Sequence, residues 1–249
     1  MTHSAWQAFC KFRRKFRNLC EKTAAEIPRL KDLQQRLAET RQGPAYTVDT
    51  PVVYNETLDS VTKTDEIKLI LVADNPGRKE QALENRRYLV GPSGKLAEKF
   101  FRENPVLGID FRKNVIILNK TPIHTPRTGE LRELCRAGGP ELQALVETTQ
   151  KKMVDLLQEC YYGLSKDLEN TLPVWITGYS EMKEGGIFAV YTESLKAASP
   201  GLKESLFLYR HFSMNQFTID LARQRKKGES LQNCLDRIGL AYRLRIVGV

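Results

Sequence analysis

Polar side chains that could carry reaction chemistry follow a short apolar run near residue 70. The run 67–73 ends in Asp74-Asn75, and Pro76-Gly77 then turns the chain. Ligand sites in open α/β sheets form at the carboxyl ends of buried strands, where this pair would lie. Asp and Asn also satisfy the backbone of ordinary turns. The pair alone therefore leaves turn chemistry and reaction chemistry both open.

Three further apolar runs end in polar or turn-forming residues. The runs 115–119, 174–178 and 205–209 are short and largely apolar, as expected for strands buried on both faces of a parallel sheet. The residues at these ends are Asn119, Gly178, Tyr179, His211 and Ser213. Parallel strands end along one edge, so we expect these residues to meet the first pair there. Taken singly, Asn119 could be a strand-end cap and His211 a structural histidine.

The elements that must position these residues form an α/β pattern. Helices are predicted between and after the strands at 93–103, 140–160, 187–198, 214–226 and 230–241. The pattern predicts a three-layer αβα sandwich around a four-stranded, mainly parallel sheet. We expect this domain to occupy 46–249, with an extended connector at 42–66 that leads into the first strand.

Residues 1–45 are predicted to form a basic, amphipathic helical extension. Apolar residues recur from Trp6 to Leu19, and basic residues lie between them at 11, 13, 14, 15 and 17. One interpretation is a helix packed on a core with a solvated basic face. The other adds contacts between that face and nucleic-acid phosphates.

Composition limits the class of protein. The 249 residues are 41% hydrophobic and 28% charged, with a net charge of +9, which suits a globular protein and permits a polyanionic partner. No run approaches the roughly 20 apolar residues of a membrane span, and no secretion signal is visible. Five scattered cysteines and three histidines predict reduced thiols and no metal or other cofactor. We expect a monomer in the cytoplasm or nucleus, with no membrane partner.

The stretch Gly91–Lys95, GPSGK, is not a phosphate-binding P-loop. That motif needs a glycine where Leu89 stands and a Ser or Thr where Leu96 stands. The stretch instead predicts a turn into a helix, with Ser93 as a possible cap. Such a helix terminus can still bind a phosphate.

Four motifs in this order resemble those of the uracil-DNA glycosylase superfamily. They are ADNPG at 73–77, RRYLVGPSGKL at 86–96, ILNKTPIHTP at 117–126 and RHFSMNQF at 210–217. The family forms are GQDPY, GxNPG or GEAPG for the first motif, GRPFVGxxG for the second and HPSP for the last. The resemblance covers 67–126 and 174–218.

The resemblance implies three catalytic residues. Asn75 takes the position of the asparagine that holds the attacking water, and Asp74 falls where the iron–sulfur branch has glutamate. His211 would donate a hydrogen bond to uracil O2. Ala73 replaces the usual leading glycine of the motif.

The resemblance also implies a base-binding set. Asn119 would read the uracil edge, since an amide can donate to O4 and accept from N3–H. Gly77 leaves open the space where other branches use tyrosine against the thymine methyl group. Leu89, with Tyr88 beside it, stands where the iron–sulfur branch stacks a phenylalanine on uracil.

DNA contacts are expected from the same motifs. Ser93, Lys95, Lys120 and Ser213 are predicted to contact DNA, and Met214 or Asn215 to fill the gap left by an extruded base. Phe212 and Met214 replace both prolines of the family's last motif. Only Cys135 lies near a cluster-cysteine position, so no iron–sulfur cluster is expected.

The resemblance predicts a monofunctional DNA glycosylase that removes uracil or a related deaminated base. One alternative is a glycosylase-like protein that binds nucleic acid without cutting it. A second is a doubly wound enzyme acting on a nucleotide or small molecule, although ADNPGRKE lacks the G-x-G-x-x-G fingerprint such an enzyme would need.

Overall fold

A four-stranded parallel sheet forms the centre of the molecule. The computed structural model describes residues 1–41, 44–166 and 171–248. Strands β1 (Leu69–Ala73), β2 (Val115–Asn119), β3 (Val174–Thr177) and β4 (Leu206–Tyr209) are arranged in the order β2-β1-β3-β4. All neighbours are parallel, and nearly every strand residue is buried. The predicted four-stranded α/β sandwich is thus confirmed.

The strand register brings the polar ends together. Ala73 pairs with Asn119, and Val72 pairs with Ile176 on the other side of β1. Thr177 pairs with Tyr209 at the end of β4. The residues just after all four strands therefore lie on one edge of the sheet.

Eight α-helices surround the sheet in the described part of the chain. They are α1 (His3–Glu26), α2 (Leu30–Thr40), α3 (Pro92–Glu103), α4 (Glu130–Ser165), α5 (Ala189–Lys196), α6 (Pro200–Glu204), α7 (Gln216–Gln224) and α8 (Leu231–Val247). Trp175 of β3 stacks with Phe101 of α3 at 5.5 Å and with Phe217 of α7 at 5.9 Å between ring centroids. These aromatic contacts join α3 and α7 to the sheet.

Helix α4 begins ten residues before its predicted start. Gly139-Pro140 resembles a helix boundary in sequence, because proline cannot continue a helix from the preceding turn. Here Gly139 takes φ +74°, the chain kinks, and helix continues on both sides. Glycine permits this left-handed backbone at low cost.

Helices α1 and α2 pack into the same core as the sheet. Phe9, Phe12 and Phe16 are buried, and the Phe16 ring lies 6.3 Å from that of Tyr88. Gln34 of α2 donates to the carbonyl of His124 at 2.8 Å. Residues 3–26 and 30–40 of the predicted segment 1–45 are therefore helical and packed on the core, whereas positions 42 and 43 lie outside the described residues.

Part of the basic face of α1 is already paired. Arg13 and Arg17 contact Asp59, and Lys15 contacts Glu159. These pairs agree with a helix packed on a core. A contact between the remaining exposed cations and nucleic acid stays a prediction.

Among the described helices, none combines the length and apolar character needed to cross a membrane. The five cysteines are free thiols.

Candidate functional site

A cleft of about 1120 Å³ opens at the carboxyl edge of the sheet. It is lined by residues from all four predicted motifs: Asp74, Asn75, Gly77, Leu89, Ser93, Asn119, His211, Ser213 and Met214. The sequence motifs are thus brought together in one cavity. Their chemical roles stay predictions.

A buried ion pair joins β1 and β2 at the floor of the cleft. Lys120 Nζ lies 2.6 Å from Asp74 Oδ1 and 2.6 Å from the Thr177 carbonyl oxygen. Thr128 donates to Asp74 Oδ2 at 3.0 Å. Burial alone would raise the pKa of Asp74, but Lys120, His211 and these hydrogen bonds lower it below the usual value. The carboxylate is therefore ionised at neutral pH, with both oxygens already occupied by donors.

Gly178 makes room for this carboxylate. It has φ +80°, and a Cβ atom there would lie 2.3 Å from Asp74 Oδ1. Two reasons therefore demand glycine at the end of β3: the left-handed backbone and the close approach of Asp74. The sequence pattern marks Gly178 as a strand-end residue but does not indicate its contact with Asp74.

Asn75 is oriented by the loop that follows β2. Its Nδ2 donates to Thr125 Oγ1 at 2.8 Å, which fixes the direction of the amide. Its Oδ1 has no hydrogen-bond partner among the described residues and lies in a residue that lines the cleft. The oxygen can therefore accept a hydrogen bond from water or a ligand.

His211 presents a donor to the cleft. The backbone N–H of Ser213 donates to His211 Nδ1 at 3.0 Å. Burial lowers the pKa of His211 below its usual value, and Lys120 lowers it further, although Asp74 acts in the opposite direction. The neutral ring then carries its proton on Nε2, because Nδ1 is the acceptor.

Asn119 is buried with its whole side-chain amide unpaired. Only 1% of its surface is exposed, and neither Oδ1 nor Nδ2 has a hydrogen-bond partner among the described residues. A buried polar atom left without a partner costs about 1–3 kcal/mol. The amide lies near the Tyr88 hydroxyl, and this interaction opposes the rise that burial causes in the pKa of Tyr88. Since Asn119 lines the cleft, a ligand that reaches its amide meets one donor and one acceptor.

Glu80 fastens the first-motif loop to the second. Its two carboxylate oxygens accept hydrogen bonds from the backbone N–H of Gly77 at 3.2 Å and of Leu89 at 3.0 Å. Burial raises the pKa of Glu80 to about 7, against the opposing effect of these two hydrogen bonds. The sequence motifs did not single out this residue.

Leu89 takes a backbone conformation that is unusual for leucine. Its φ is +52°, a region that costs non-glycine residues roughly 1–2 kcal/mol. Its carbonyl packs against α3 where a Cβ on Gly94 would lie 1.6 Å from the oxygen. Arg112 also donates to this carbonyl at 2.7 Å. The strained turn holds Leu89 at the cleft wall, with an aliphatic side chain at the position where the resemblance predicts a stacked aromatic ring.

Two of the sequence assignments are corrected by burial. Lys120 is 0% exposed and paired with Asp74, so it cannot reach a DNA phosphate. Tyr88 is also 0% exposed and donates its hydroxyl hydrogen to the Val53 carbonyl at 2.6 Å, so its ring faces the core and not the cleft.

Two further predicted DNA contacts lie outside the cleft lining. Lys95 is exposed on α3, and Asn215 is exposed at φ +57° beside a smaller groove. Met214, by contrast, lines the cleft and is 80% exposed at φ +51°. A methionine held outward in this way matches the predicted wedge better than Asn215 does.

Exposed cations lie at the mouth of the cleft, together with the carboxylates of Asp49 and Glu84. Arg78, Lys79 and Arg127 are exposed and have no carboxylate within ion-pair distance in the described part of the chain. Arg41 also lines the cleft, but it is paired with Glu130 at 3.3 Å. A phosphate backbone would meet three free positive charges here.

The described residues contain no cluster of His, Cys, Asp or Glu that could hold a metal ion. No family model matches this chain, and no curated protein matches it. The family resemblance of the motifs therefore stays a prediction, and function has to be argued from the site.

Proposed function

We propose that the protein hydrolyses the N-glycosidic bond of uracil, or of a related deaminated base, extruded from DNA. The observation that carries the proposal is the buried, unpaired amide of Asn119 inside a cleft that also presents Asn75 and His211. The Asn119 amide can donate to uracil O4 and accept from N3–H. Cytosine offers the opposite pattern at these atoms.

Charge separation is the chemical task of such a site. The bond between the base and C1′ breaks with its electron pair leaving on the base, and the sugar becomes cationic. His211 Nε2–H donates to the base oxygen where negative charge grows. Asp74 is ionised and stabilises the sugar cation, and its occupied oxygens make it a poor proton acceptor. Asn75 Oδ1 holds the water that bonds to C1′. This water then gives a proton to bulk solvent, and the released base anion takes up a proton from solvent.

The free cations at the cleft mouth supply the DNA contacts. Lys79 and Arg127 would pair with phosphates on either side of the extruded nucleotide, Arg78 adds positive charge beside them, and Met214 enters the stack. A DNA substrate places the protein in the cytoplasm or nucleus. One cleft with one complete set of groups suits a monomer.

The test is cleavage of labelled oligonucleotides that carry uracil in single strands, opposite G or opposite A. Abasic product is detected by alkali cleavage. We expect Asn75→Ala and His211→Ala each to lower turnover by about 10²–10³ while DNA binding persists, because each removes one positioned polar group. Wild-type rates for both purified variants would contradict the assignment.

A second candidate function is nucleic-acid binding without cleavage. It is favoured by Leu89, whose aliphatic side chain offers weaker stacking to a base than an aromatic ring would. DNA binding that weakens with salt, with no abasic product from any uracil substrate, would select this candidate.

A further inference from the structure

The guanidinium group of Arg78 lies over the aromatic ring of Tyr46 at the wall of the cleft. The guanidinium carbon of Arg78 lies 5.2 Å from the centroid of the Tyr46 ring, and both residues line the cleft that holds Asn75. Sequence analysis singled out neither residue. The arrangement is a cation–π contact, with the guanidinium carbon over the ring and within the usual limit of about 6 Å.

The ring is held rigidly. Tyr46 Oη donates to His124 Nε2 at 2.9 Å, and His124 Nδ1–H donates to the Pro76 carbonyl at 2.8 Å. These two hydrogen bonds connect the Tyr46 ring to Pro76, which lies between Asn75 and Gly77 in the loop of the first motif. A ring fixed in this way keeps a constant position relative to the catalytic asparagine.

The outer face of the Arg78 guanidinium group is open. Arg78 is exposed, and in the described part of the chain the only hydrogen bond of its guanidinium group is one of 3.5 Å to the Pro44 carbonyl. A planar cation that lies over a fixed ring and is exposed to solvent offers a platform for a flat ring. Nucleobases stack on aromatic and guanidinium planes without regard to sequence, because every base has a π face.

We propose that Arg78, in its cation–π contact with Tyr46, binds the base next to the extruded nucleotide in single-stranded DNA. This rests on the proposed function, since it places the neighbour beside a base held by Asn119. In a duplex the neighbouring base stays stacked within the helix and leaves the platform empty. The platform therefore favours single-stranded substrates and makes cleavage depend on one adjacent base.

The test uses single-stranded oligonucleotides with uracil flanked by thymine or, on the 5′ or 3′ side, by a tetrahydrofuran abasic analogue. We expect one of the two analogues to lower wild-type kcat/KM by about tenfold, in line with the loss of one stacked base. Arg78→Ala should remove this dependence on the neighbour. Wild-type cleavage that is indifferent to both analogues would overturn the proposal.

Two variants separate stacking from charge. Arg78→Lys keeps the charge but lacks the plane, so it should lose the dependence on the neighbour as Arg78→Ala does. Lys79→Ala removes an adjacent free cation and should weaken binding to all substrates while keeping the dependence. If Arg78→Lys behaves as the wild type, or if Lys79→Ala loses the dependence, the effect is one of charge and the platform is refuted.

A binding measurement distinguishes failure of the platform from failure of the proposed function. The oligonucleotide carries 2-aminopurine next to uracil, and its fluorescence reports stacking in wild type and in Arg78→Lys. Quenching that needs Arg78, without cleavage of any uracil substrate, would support the platform and refute the glycosylase. Cleavage with quenching that is equal in both proteins would support the glycosylase and refute the platform.

Discussion

Gly178 has no side chain, and the space this leaves is occupied by the carboxylate of Asp74. Gly178→Ala would place a Cβ atom 2.3 Å from Asp74 Oδ1, in a left-handed backbone. We expect Asp74 to shift from Lys120, turnover to fall by at least tenfold, and unfolding free energy to fall by several kcal/mol as the buried pair is disturbed. The measurements are uracil cleavage and urea denaturation.

Gly185→Ala is the matched control for that variant. Gly185 has φ +71°, so alanine pays the same kind of backbone cost, but nothing lies within 4 Å of its Cβ position. It should lose about 1–2 kcal/mol of stability and keep its turnover. Equal turnover losses in both variants would show that backbone strain, and not the contact with Asp74, is responsible.

The buried carboxyl group of Glu80 makes stability depend on pH. Its pKa is raised from 4.5 in the unfolded chain to about 7 in the folded one. Between these values the folded state binds more protons, so Glu80's contribution to stability is greatest below pH 4.5 and declines as pH rises to 7. The decline is of the order of 3 kcal/mol at most.

Glu80→Gln provides the measurement. Wild type and variant are denatured with urea at pH values from 4.5 to 8. We expect the unfolding free energy of the variant to rise relative to that of the wild type as the pH increases. The glutamine carbonyl still accepts one of the hydrogen bonds from Gly77 and Leu89. A difference that stays constant across this range would mean that Glu80 does not titrate there.

At the scale of elements, contact between helix α3 and the Leu89 turn reverses the usual preference for alanine in a helix. Alanine normally stabilises a helix by roughly 1 kcal/mol over glycine. At Gly94, however, the new Cβ would meet the Leu89 carbonyl at 1.6 Å. We expect Gly94→Ala to lower the Tm by more than 5 °C, because either α3 or the turn must move.

Gly129→Ala, at the start of α4, tests this explanation. Gly129 has φ −60° and nothing within 4 Å of its Cβ position. Its replacement should leave the Tm unchanged or slightly higher. If Gly94→Ala also leaves the Tm unchanged, the Leu89 turn can move away from the new Cβ atom at little cost in stability.

The strands were predictable from sequence because each is a continuous apolar run ended by polar residues. The roles of Lys120 and Tyr88 were not predictable in the same way. Lys120 follows Asn119, and its sequence position suggests a surface cation. The register of β1 and β2 instead places Lys120 beside Asp74. Gly178, which follows β3, leaves the space that the Asp74 carboxylate needs. Such a pair depends on three segments far apart in sequence.

Tyr88 was misplaced for a similar reason. Its neighbour Leu89 does line the cleft, as its motif position predicts. Tyr88 points the other way because Phe16 of α1 packs against it, and nothing in the motif reveals that α1 returns to this part of the core. The Tyr46–Arg78 contact likewise joins two segments that show no shared pattern in sequence.

For the molecule as a whole, the net charge of +9 affects the proposed binding of DNA through the positions of the cations. Three free cations at the cleft mouth predict that log K for single-stranded DNA falls with log salt with a slope of about −2. Arg127→Ala should reduce the steepness by about 0.7. Fluorescence anisotropy at 50–200 mM salt measures both slopes.

Lys11→Ala is the corresponding control on the N-terminal helix. Lys11 is exposed on α1 and does not line the cleft, so we expect no change in slope. A reduction equal to that of Arg127→Ala would show that α1 also contacts DNA, which is the alternative left open by its basic sequence.

The packing of α1 on α4 also has a consequence for synthesis of the chain. Helix α4 begins about 100 residues after α1 ends, so ribosomes adding about 5–20 residues per second need about 5–20 s to supply the partner. During that interval the side of α1 around Ala8, which packs against Gly163 of α4, is an exposed apolar stripe on the nascent chain. Such a stripe is a binding site for chaperones, and a ribosome-bound chain ending before Glu130 should recruit them more strongly than one extending past Ser165.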